Sequence, residues 1–153
     1  MLEEAKITLM DSTNKKLNVV QSIASELGIN NINTLHGRAE ELGQDHRYRE
    51  KYEVVASRAV ANLTLLSEYC LPLTKVGGQF LSMKGRDYQE ELNAAQIPID
   101  VLGGKITTIE KGLLLQSEFV HVIINIKKVK PTPANFPRIH GKIKKEAFPI
   151  QYK

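Results

Sequence analysis

The sequence predicts an α/β domain with a mostly parallel sheet, and three observations support this prediction. Short apolar segments with strand character alternate with amphipathic segments of roughly 10–15 residues, which is the pattern of βαβ units. The chain has 153 residues, enough for one domain with a substantial core. Its 42% hydrophobic and 25% charged residues are ordinary for a globular protein.

The first half of the chain alternates between the two patterns. An apolar run ends in an aspartate at Asp11, and a polar start leads into an apolar stripe at helical spacing that stops at Gly28. The elements expected here are a strand at 6–11, a helix at 13–27, a short strand at 32–37, short helical turns within 38–51 and a buried strand within 52–60.

The second half continues the alternation up to a basic tail. The elements expected here are a helix at 62–71 that ends before Pro72, a turn and strand within 76–85, a charged helix at 86–97, a strand, Gly-Gly turn and strand within 99–112, and a last strand at 118–129. The sequence after residue 130 is rich in Pro and Lys and has no apolar periodicity. We therefore expect a sheet domain over residues 1–130 and a basic tail over residues 131–153.

The charge is distributed unevenly along the chain. Residues 127–153 carry a net charge of +7, whereas the remaining residues sum to −3. A basic end on a mildly acidic body favours contact with a polyanion. A solvated, partly disordered end is the alternative that the charge leaves open.

Several classes of protein are excluded by what the sequence lacks. No apolar run approaches the ~20 residues that span a bilayer, and no signal-peptide pattern is found, so we expect a cytoplasmic protein without membrane contact. The single cysteine, Cys70, excludes an internal disulfide and lies in an apolar stretch typical of a buried structural thiol. The four histidines show no metal-ligand spacing, so no metal site is predicted.

Ligands of parallel sheets bind beyond the carboxyl ends of the strands, and this rule selects the candidate residues. Asp11 ends the first strand, where a carboxylate accepts hydrogen bonds from ribose hydroxyls; Asp11 or Ser12 as a helix N-cap is the alternative. Ala39 and Glu40 follow the next strand, where a small residue and a carboxylate suit a nucleotide base. Their alternative is a first helical turn with favourably placed acids.

Two basic residues occupy equivalent positions further along the chain. Arg58 ends an apolar strand, and its guanidinium needs a partner, either a phosphate, a cofactor carboxylate or a neighbouring Glu. Lys84 precedes Gly85 at the end of the following strand and is a candidate phosphate contact or a solvated loop lysine. We identify no Ser-His-Asp arrangement and no paired carboxylates, so no catalytic residue is assigned. The chain offers binding groups, which suits a reaction whose reactive atom comes from a cofactor.

Several stretches taken together resemble the small-subunit ribosomal RNA guanine-N7 methyltransferases, also called glucose-inhibited division protein B. The matching stretches, which run in order over almost the whole chain, include ITLMDSTNKKLNVV, HGRAEEL, SRAVANLTLL and TPANFPRIHGKIKK. The resemblance implies a class I S-adenosylmethionine-dependent methyltransferase fold with a Rossmann-like sheet. It also implies methylation of N7 of one guanine in bacterial 16S ribosomal RNA, with that RNA or the small ribosomal subunit as partner.

The resemblance also assigns roles to individual residues. Asp11 corresponds to the acidic residue on the ribose side of the cofactor, Ala39 and Glu40 to the pair beside the adenine, and Arg58 to a residue lining the cofactor and target-base pocket. The candidates for RNA contact are Lys84, Arg138, Lys142, Lys144 and Lys145.

The sequence departs from this family at its start, where relatives carry a helical region, a strand and a glycine-rich loop of the GxGxG type. We therefore expect an incomplete fragment with weak or no activity alone, and pairing of two copies through open strand edges. A non-catalytic RNA-binding module is the alternative function, and a nucleotide-binding oxidoreductase ranks last because nothing here positions a nicotinamide.

Overall fold

The computed structural model describes residues 5–58, 61–85, 87–113 and 120–149, which form two compact units, Met1–Ala39 and Glu40–Lys153. The elements within these ranges are β1 (Ile7–Asp11), α1 (Asn14–Glu26), β2 (Ile32–His36), α2 (Ala39–Leu42), β3 (Tyr52–Arg58), α3 (Leu63–Cys70), β4 (Thr74–Lys84), α4 (Tyr88–Val101), β5 (Gly104–Leu113), β6 (Val120–Lys128) and α5 (His140–Lys145). The predicted alternation of strands and helices is confirmed.

The first unit consists of a parallel pair of strands and one helix. β1 and β2 pair in register, from Ile7 opposite Ile32 to Asp11 opposite His36. Helix α1 connects them, and it buries Leu17 and Ala24. The two carboxyl ends therefore lie side by side, which brings Asp11 next to the start of the segment that leads into α2.

The second unit contains a mixed sheet in the order β3-β4-β6-β5, so the prediction of a mostly parallel sheet is wrong for this unit. β3 and β4 are parallel, whereas β6 is antiparallel to both β4 and β5. The reason lies in the length of the connections. Only six residues separate β5 from β6, which is too short for the crossover that parallel neighbours need.

The core of the second unit lies where α3 and α4 pack against the sheet. Its buried apolar residues include Leu63, Leu66, Leu71, Phe80, Leu92, Ala95, Ile99, Leu102, Val122, Ile124 and Ile126. Helix α3 begins at the N-cap Asn62, whose side chain accepts a hydrogen bond of 2.9 Å from the Leu65 N–H. Cys70 ends α3 inside this core, and burial raises the pKa of its thiol to about 12, so the prediction of a buried structural thiol is confirmed.

Helix α4 continues to Val101, and the strand predicted from residue 99 is therefore wrong. The apolar residues Leu92, Ala95 and Ile99 follow one another at helical spacing, and burying this face outweighs the local alternation and Pro98. The predicted turn does follow. Gly103 has a φ of +89°, and a Cβ there would lie 2.1 Å from the carbonyl oxygen of Lys130.

Strand β3 is half-exposed, which corrects the prediction of a buried strand. Val54 is 55% exposed, and among the described residues β3 pairs with β4 alone. β3 is therefore an edge strand of this sheet, although its sequence is apolar.

The described part of the C-terminal segment, residues 129–149, packs on the second unit through the buried residues Thr132, Phe136 and Ile143. Lys128 is completely buried, and its Nζ donates to the Leu71 carbonyl and to Thr132 Oγ1 at 2.5 Å each. Glu50 Oε1 lies 3.1 Å from the same Nζ and accepts the Thr132 N–H at 2.8 Å. The sheet and the segment after it are thereby connected through one buried cation.

Arg49 makes a second connection to the same segment. Its guanidinium donates to four carbonyl oxygens, at distances of 2.7 to 3.1 Å, those of Gly43, Thr132, Pro133 and Phe136. Five fixed donors in one plane allow an arginine to hold several carbonyls at once. Residues 43–50 and 128–138 therefore form one polar cluster.

Because Lys128 is buried, we predict that the unfolding free energy of the chain increases as the pH becomes alkaline. Burial lowers the pKa of Lys128 from its ordinary value of 10.5 to about 8, and the Glu50 hydrogen bond offsets this only in part. Between pH 8 and 10.5 the unfolded chain therefore binds more protons. The difference in unfolding free energy between the natural chain and Lys128→Met should increase across this range, by up to about 3 kcal/mol.

Urea unfolding at several pH values measures this difference. Lys130→Met is the matched control, since Lys130 is half-exposed and pairs with Asp100 at 3.2 Å. Parallel pH curves for the natural chain and Lys128→Met would contradict the prediction.

Candidate functional site

Asp11 lies at the carboxyl end of β1, where the sequence predicted a ribose-binding carboxylate. Its Oδ1 accepts the Thr13 N–H at 2.7 Å, and Lys16 Nζ lies 3.4 Å from Oδ2. The Thr13 hydrogen bond, together with the Lys16 charge, holds the pKa of Asp11 below its usual value. The residue at the N-cap of α1 is Thr13, without a side-chain bond, so neither Asp11 nor Ser12 caps the helix. Asp11 is thus a charged, partly exposed acceptor at a strand end.

Ala39 and Glu40 begin the short helix α2 directly after β2. Ala39 is partly buried, whereas Glu40 is only 7% exposed. A carboxylate is rarely buried to this extent unless a partner compensates for the lost hydration. Glu40 lies in the first turn of α2, as the alternative interpretation predicted, and its carboxylate is buried there.

Glu40 lines a cleft of about 560 Å³ in the second unit. One wall consists of α2 and the residues after it, and the other consists of the C-terminal segment. The lining residues are Glu40, Glu41, Gln44, Asn135, Pro137, Arg138, Ile139, His140 and Lys142. The volume is in the range of small-molecule sites, roughly 300–1,000 Å³.

His140 faces Glu40 across this cleft. Its Nδ1 lies 3.2 Å from Glu40 Oε1 and 3.5 Å from the hydroxyl oxygen of Tyr69. The His140 side chain is 37% exposed, so the pair is open to solvent on the histidine side. The cleft thus combines a buried acceptor with an accessible imidazole.

Arg138 anchors the C-terminal wall of the cleft to α3. Its guanidinium makes two hydrogen bonds to the buried carboxylate of Glu68, at 2.9 and 2.8 Å, and its backbone N–H donates to the same carboxylate at 2.9 Å. The Glu68 hydrogen bonds raise the pKa of Arg138. Arg138, predicted as an RNA contact, is thus engaged in a structural ion pair with a side chain only 12% exposed.

The basic helix α5 follows the anchored segment. Its residues Lys142 and Lys145 are exposed, while Ile143 is buried and fixes the helix on the unit. The side chain of Lys144, the third predicted RNA contact here, lies outside what the structure describes. The exposed lysines give the C-terminal wall a positive rim.

Arg58 and Lys84 lie at the carboxyl ends of the neighbouring strands β3 and β4. Arg58 is exposed and opposite Met83, the residue before Lys84. Lys84 Nζ donates to the Ala61 carbonyl at 2.5 Å and to Glu91 at 2.7 Å, and its side chain is 9% exposed. The structure therefore gives Lys84 a structural partner in place of the exposed position that an RNA contact requires.

The structure brings together residues that the sequence assigned to different partners. Glu40, predicted beside the cofactor, shares the cleft with Arg138 and Lys142, predicted to contact RNA. His140 was missed, because a histidine without metal-ligand spacing carries no local signal. Glu68 was missed as well, since its partner is 70 residues away in the sequence.

Two further classes of site find no support in the described part of the chain. No group of three His, Cys, Asp or Glu residues there is suited to hold a metal ion. None of the helices described there has the length and apolar character needed to cross a membrane.

Comparison with known proteins identifies related sequences. A family model described as rRNA small subunit methyltransferase G matches residues 1–120. Ribosomal RNA small subunit methyltransferase G of Clostridium novyi (strain NT) is 46% identical over 141 residues, which cover 92% of this chain and 58% of the relative. The protein of the same name from Brevibacillus brevis is 46% identical over 136 residues, covering 89% and 57%. The chain therefore spans about three fifths of the length of these curated relatives.

Solved structures show the same fold at lower sequence identity. An rRNA methylase from Streptococcus thermophilus is similar with a TM-score of 0.55 at 21% identity, over 82% of this chain and 74% of that one. TYW2 of M. jannaschii in complex with AdoMet gives 0.60 at 10% identity, over 82% and 60%. The predicted fold class, that of class I S-adenosylmethionine-dependent methyltransferases, is confirmed.

The Glu68–Arg138 pair predicts a large loss of stability when its charge balance is broken. Glu68→Gln leaves the largely buried guanidinium of Arg138 without a counter-charge, and we expect a loss of about 3 kcal/mol in unfolding free energy. Glu53→Gln is the matched control, because the Glu53–Lys75 pair is exposed on both sides and should change stability by about 1 kcal/mol or less. Denaturant titration of both variants measures the difference; equal losses would contradict the prediction.

Proposed function

Because this chain belongs to the rRNA small subunit methyltransferase G family, we propose that it carries out, or is part of a protein that carries out, S-adenosylmethionine-dependent methylation of a guanine N7 in 16S ribosomal RNA. The observation that supports this best is the cleft, in which a buried carboxylate and a basic segment meet. Acting on ribosomal RNA would place the protein in the cytoplasm.

The residues predicted to bind the cofactor carry groups that suit the nucleoside part of S-adenosylmethionine. The buried Glu40 carboxylate is an acceptor for an exocyclic amino group, and the small side chain of Ala39 leaves room for a flat ring. Asp11, at the end of β1, has carboxylate oxygens suited to ribose hydroxyls. Arg58 is exposed at the end of β3 and is proposed to line the pocket of the cofactor and the target base.

The helix α5 supports contact with RNA. Lys142 and Lys145 are exposed on α5, Lys142 also lines the cleft, and Lys144 lies between them in the sequence. Exposed lysines bind phosphates through charge. Arg138 and Lys84, which are held in ion pairs, would fix the surface that RNA meets.

The proposed chemistry requires little of the protein beyond positioning. S-adenosylmethionine supplies, when bound, a methyl group on a positively charged sulfur. Guanine N7 has a free lone pair, so no residue has to remove a proton from it. The residues of the chain therefore need to hold and orient two partners, which agrees with a site made of binding groups.

Open strand edges support the pairing of two copies. Among the described residues β1 pairs with β2 alone and β3 with β4 alone, which leaves one edge of β3 available. An apolar strand with a free edge tends to add another strand. Sedimentation of the purified chain would show a dimer if this edge pairs, and a monomer would contradict it.

The function is tested by calorimetric titration of the chain with S-adenosylhomocysteine, the product of the cofactor. We expect binding with a micromolar dissociation constant. Absence of binding to the folded chain, together with salt-dependent RNA binding, would favour the non-catalytic RNA-binding module.

The RNA contact predicts a change in the salt dependence of binding. Replacing Lys142 and Lys145 by alanine should weaken binding to a 16S RNA fragment and reduce the slope of log K against log salt by about 1 to 2. Fluorescence anisotropy at several salt concentrations measures this slope. Replacing the exposed Lys75 and Lys105, which lie away from α5, is the matched control and should leave it unchanged. Equal slopes for both pairs would contradict the assignment.

A further inference from the structure

The segment that carries the exposed lysines of α5 has its two ends in contact with each other. The rings of Phe136 and Phe148 are stacked, with their centroids 5.1 Å apart and their planes inclined by 6°. The guanidinium of Arg138 lies 5.6 Å from the centroid of the Phe148 ring, and its Nη1 donates to the carbonyl of Ala147 at 3.1 Å. Residues 136–148 therefore form a closed loop, which we call the basic loop.

The first end of the basic loop is fixed in the core of the second unit. The side chain of Phe136 is 3% exposed and belongs to that core, and its carbonyl accepts a hydrogen bond from Arg49 at 2.7 Å. Arg138 is held by the buried carboxylate of Glu68. The second end is held by these two anchored residues, because Phe148 contacts both Phe136 and Arg138. Phe148 thereby closes the loop on a fixed base.

Helix α5 lies within the basic loop and has few means of stabilising itself. It has six residues, whereas isolated helices shorter than about 12–15 residues are marginal in water. Its N-cap residue is Ile139, which makes no side-chain capping bond, and its first turn contains no acidic residue. The buried side chain of Ile143 supplies contact from one side. The helix therefore depends on the closed ends of the loop that contains it.

The basic loop presents two exposed charges in a fixed arrangement. Lys142 and Lys145 are three residues apart on α5, which places them on the same face of the helix. On an open segment the same lysines would have to be ordered when RNA binds, and this ordering reduces affinity. A loop that is already closed lowers that cost.

We propose that Phe148 is a positioning residue for RNA binding: its stacking on Phe136 closes the basic loop and holds Lys142 and Lys145 where they contact RNA phosphates. The contact between these lysines and RNA rests on the proposed function. Phe148 acts through the lysines, so it changes how tightly RNA is bound and not how many phosphates are contacted.

The experiment measures binding of a 16S RNA fragment to the full chain by fluorescence anisotropy at several salt concentrations. Phe148→Ala should weaken binding about five- to tenfold at each salt concentration, because the lysines must then be ordered on binding. The slope of log K against log salt should not change, since both lysines remain. Phe148→Tyr keeps the ring and should bind as tightly as the natural chain.

Tyr48→Ala is the matched control for the loss of a ring. Tyr48 also lies against a guanidinium, with Arg47 5.2 Å from its ring centroid, but it is outside the basic loop. This variant should bind RNA as the natural chain does. Urea unfolding shows whether Phe148→Ala folds, and Phe148→Leu, which keeps most of the apolar contact without the stacked ring, replaces it if it does not.

A second series shows whether the effect of Phe148 passes through the lysines. In the chain that carries both Lys142→Ala and Lys145→Ala, Phe148→Ala should have no further effect on RNA affinity, since residues that act together are not additive. An undiminished loss in this background would overturn the proposal, because the ring would then act independently of the lysines. A reduced salt slope for Phe148→Ala alone would overturn it as well.

The remaining outcomes separate this proposal from the proposed function. Equal RNA affinity of the natural chain and Phe148→Ala would overturn the role of Phe148 and leave the proposed function intact. If the natural chain does not bind the RNA fragment, the proposed contact between α5 and RNA fails, and this proposal fails with it. Titration of the same sample with S-adenosylhomocysteine then shows whether the cofactor part of the proposed function stands.

Discussion

The buried polar contacts between residues 43–50 and residues 128–138 are the constraint on which the second unit depends. Lys128 and Arg49 together engage carbonyls, a hydroxyl and a carboxylate from these two segments, and Lys128 also engages the carbonyl of Leu71 at the end of α3. Lys128 is completely buried and Arg49 is partly buried, so both cations need these partners in place. Gln44 from the first segment and Arg138 from the second line the cleft, so this cluster connects its two sides.

Buried polar contacts of this kind add little net stability, but they fix the positions of the residues that form them. Removing a charge from water costs free energy that an ion pair recovers only when its geometry is good. The pair between Glu68 and Arg138 meets this requirement, with two side-chain hydrogen bonds and a third from the backbone. The apolar core under α3 and α4 stabilises the unit, and the polar cluster determines where the C-terminal segment lies. Arg138 at the cleft is therefore held in place by contacts within the protein.

The positions of Asp11 at the end of β1 and of Glu40 after β2 were predicted from the sequence because the periodicity of these strands is local. Their role in binding a cofactor stays a prediction. The antiparallel pairing of β5 and β6 could also have been predicted, because a six-residue connection excludes a parallel neighbour. The end of α4 was missed because residues 99–101 alternate like a strand, and burial of a helical face decides between the two. The cleft could not be predicted, since Glu68 and Arg138 are brought together by packing across 70 residues of chain.

These partners are far apart in the sequence, so the ribosome synthesises them at different times. Residues 43–50 leave the ribosome long before residues 128–138, about 80 residues later. The nascent chain therefore contains Arg49, Glu50 and Glu68 before their partners have been synthesised. Closing a loop of this length carries an entropic cost. The cleft can form only after the last strand and the segment behind it have been synthesised. A ribosome that stalls before residue 138 would hold a sheet without a cleft.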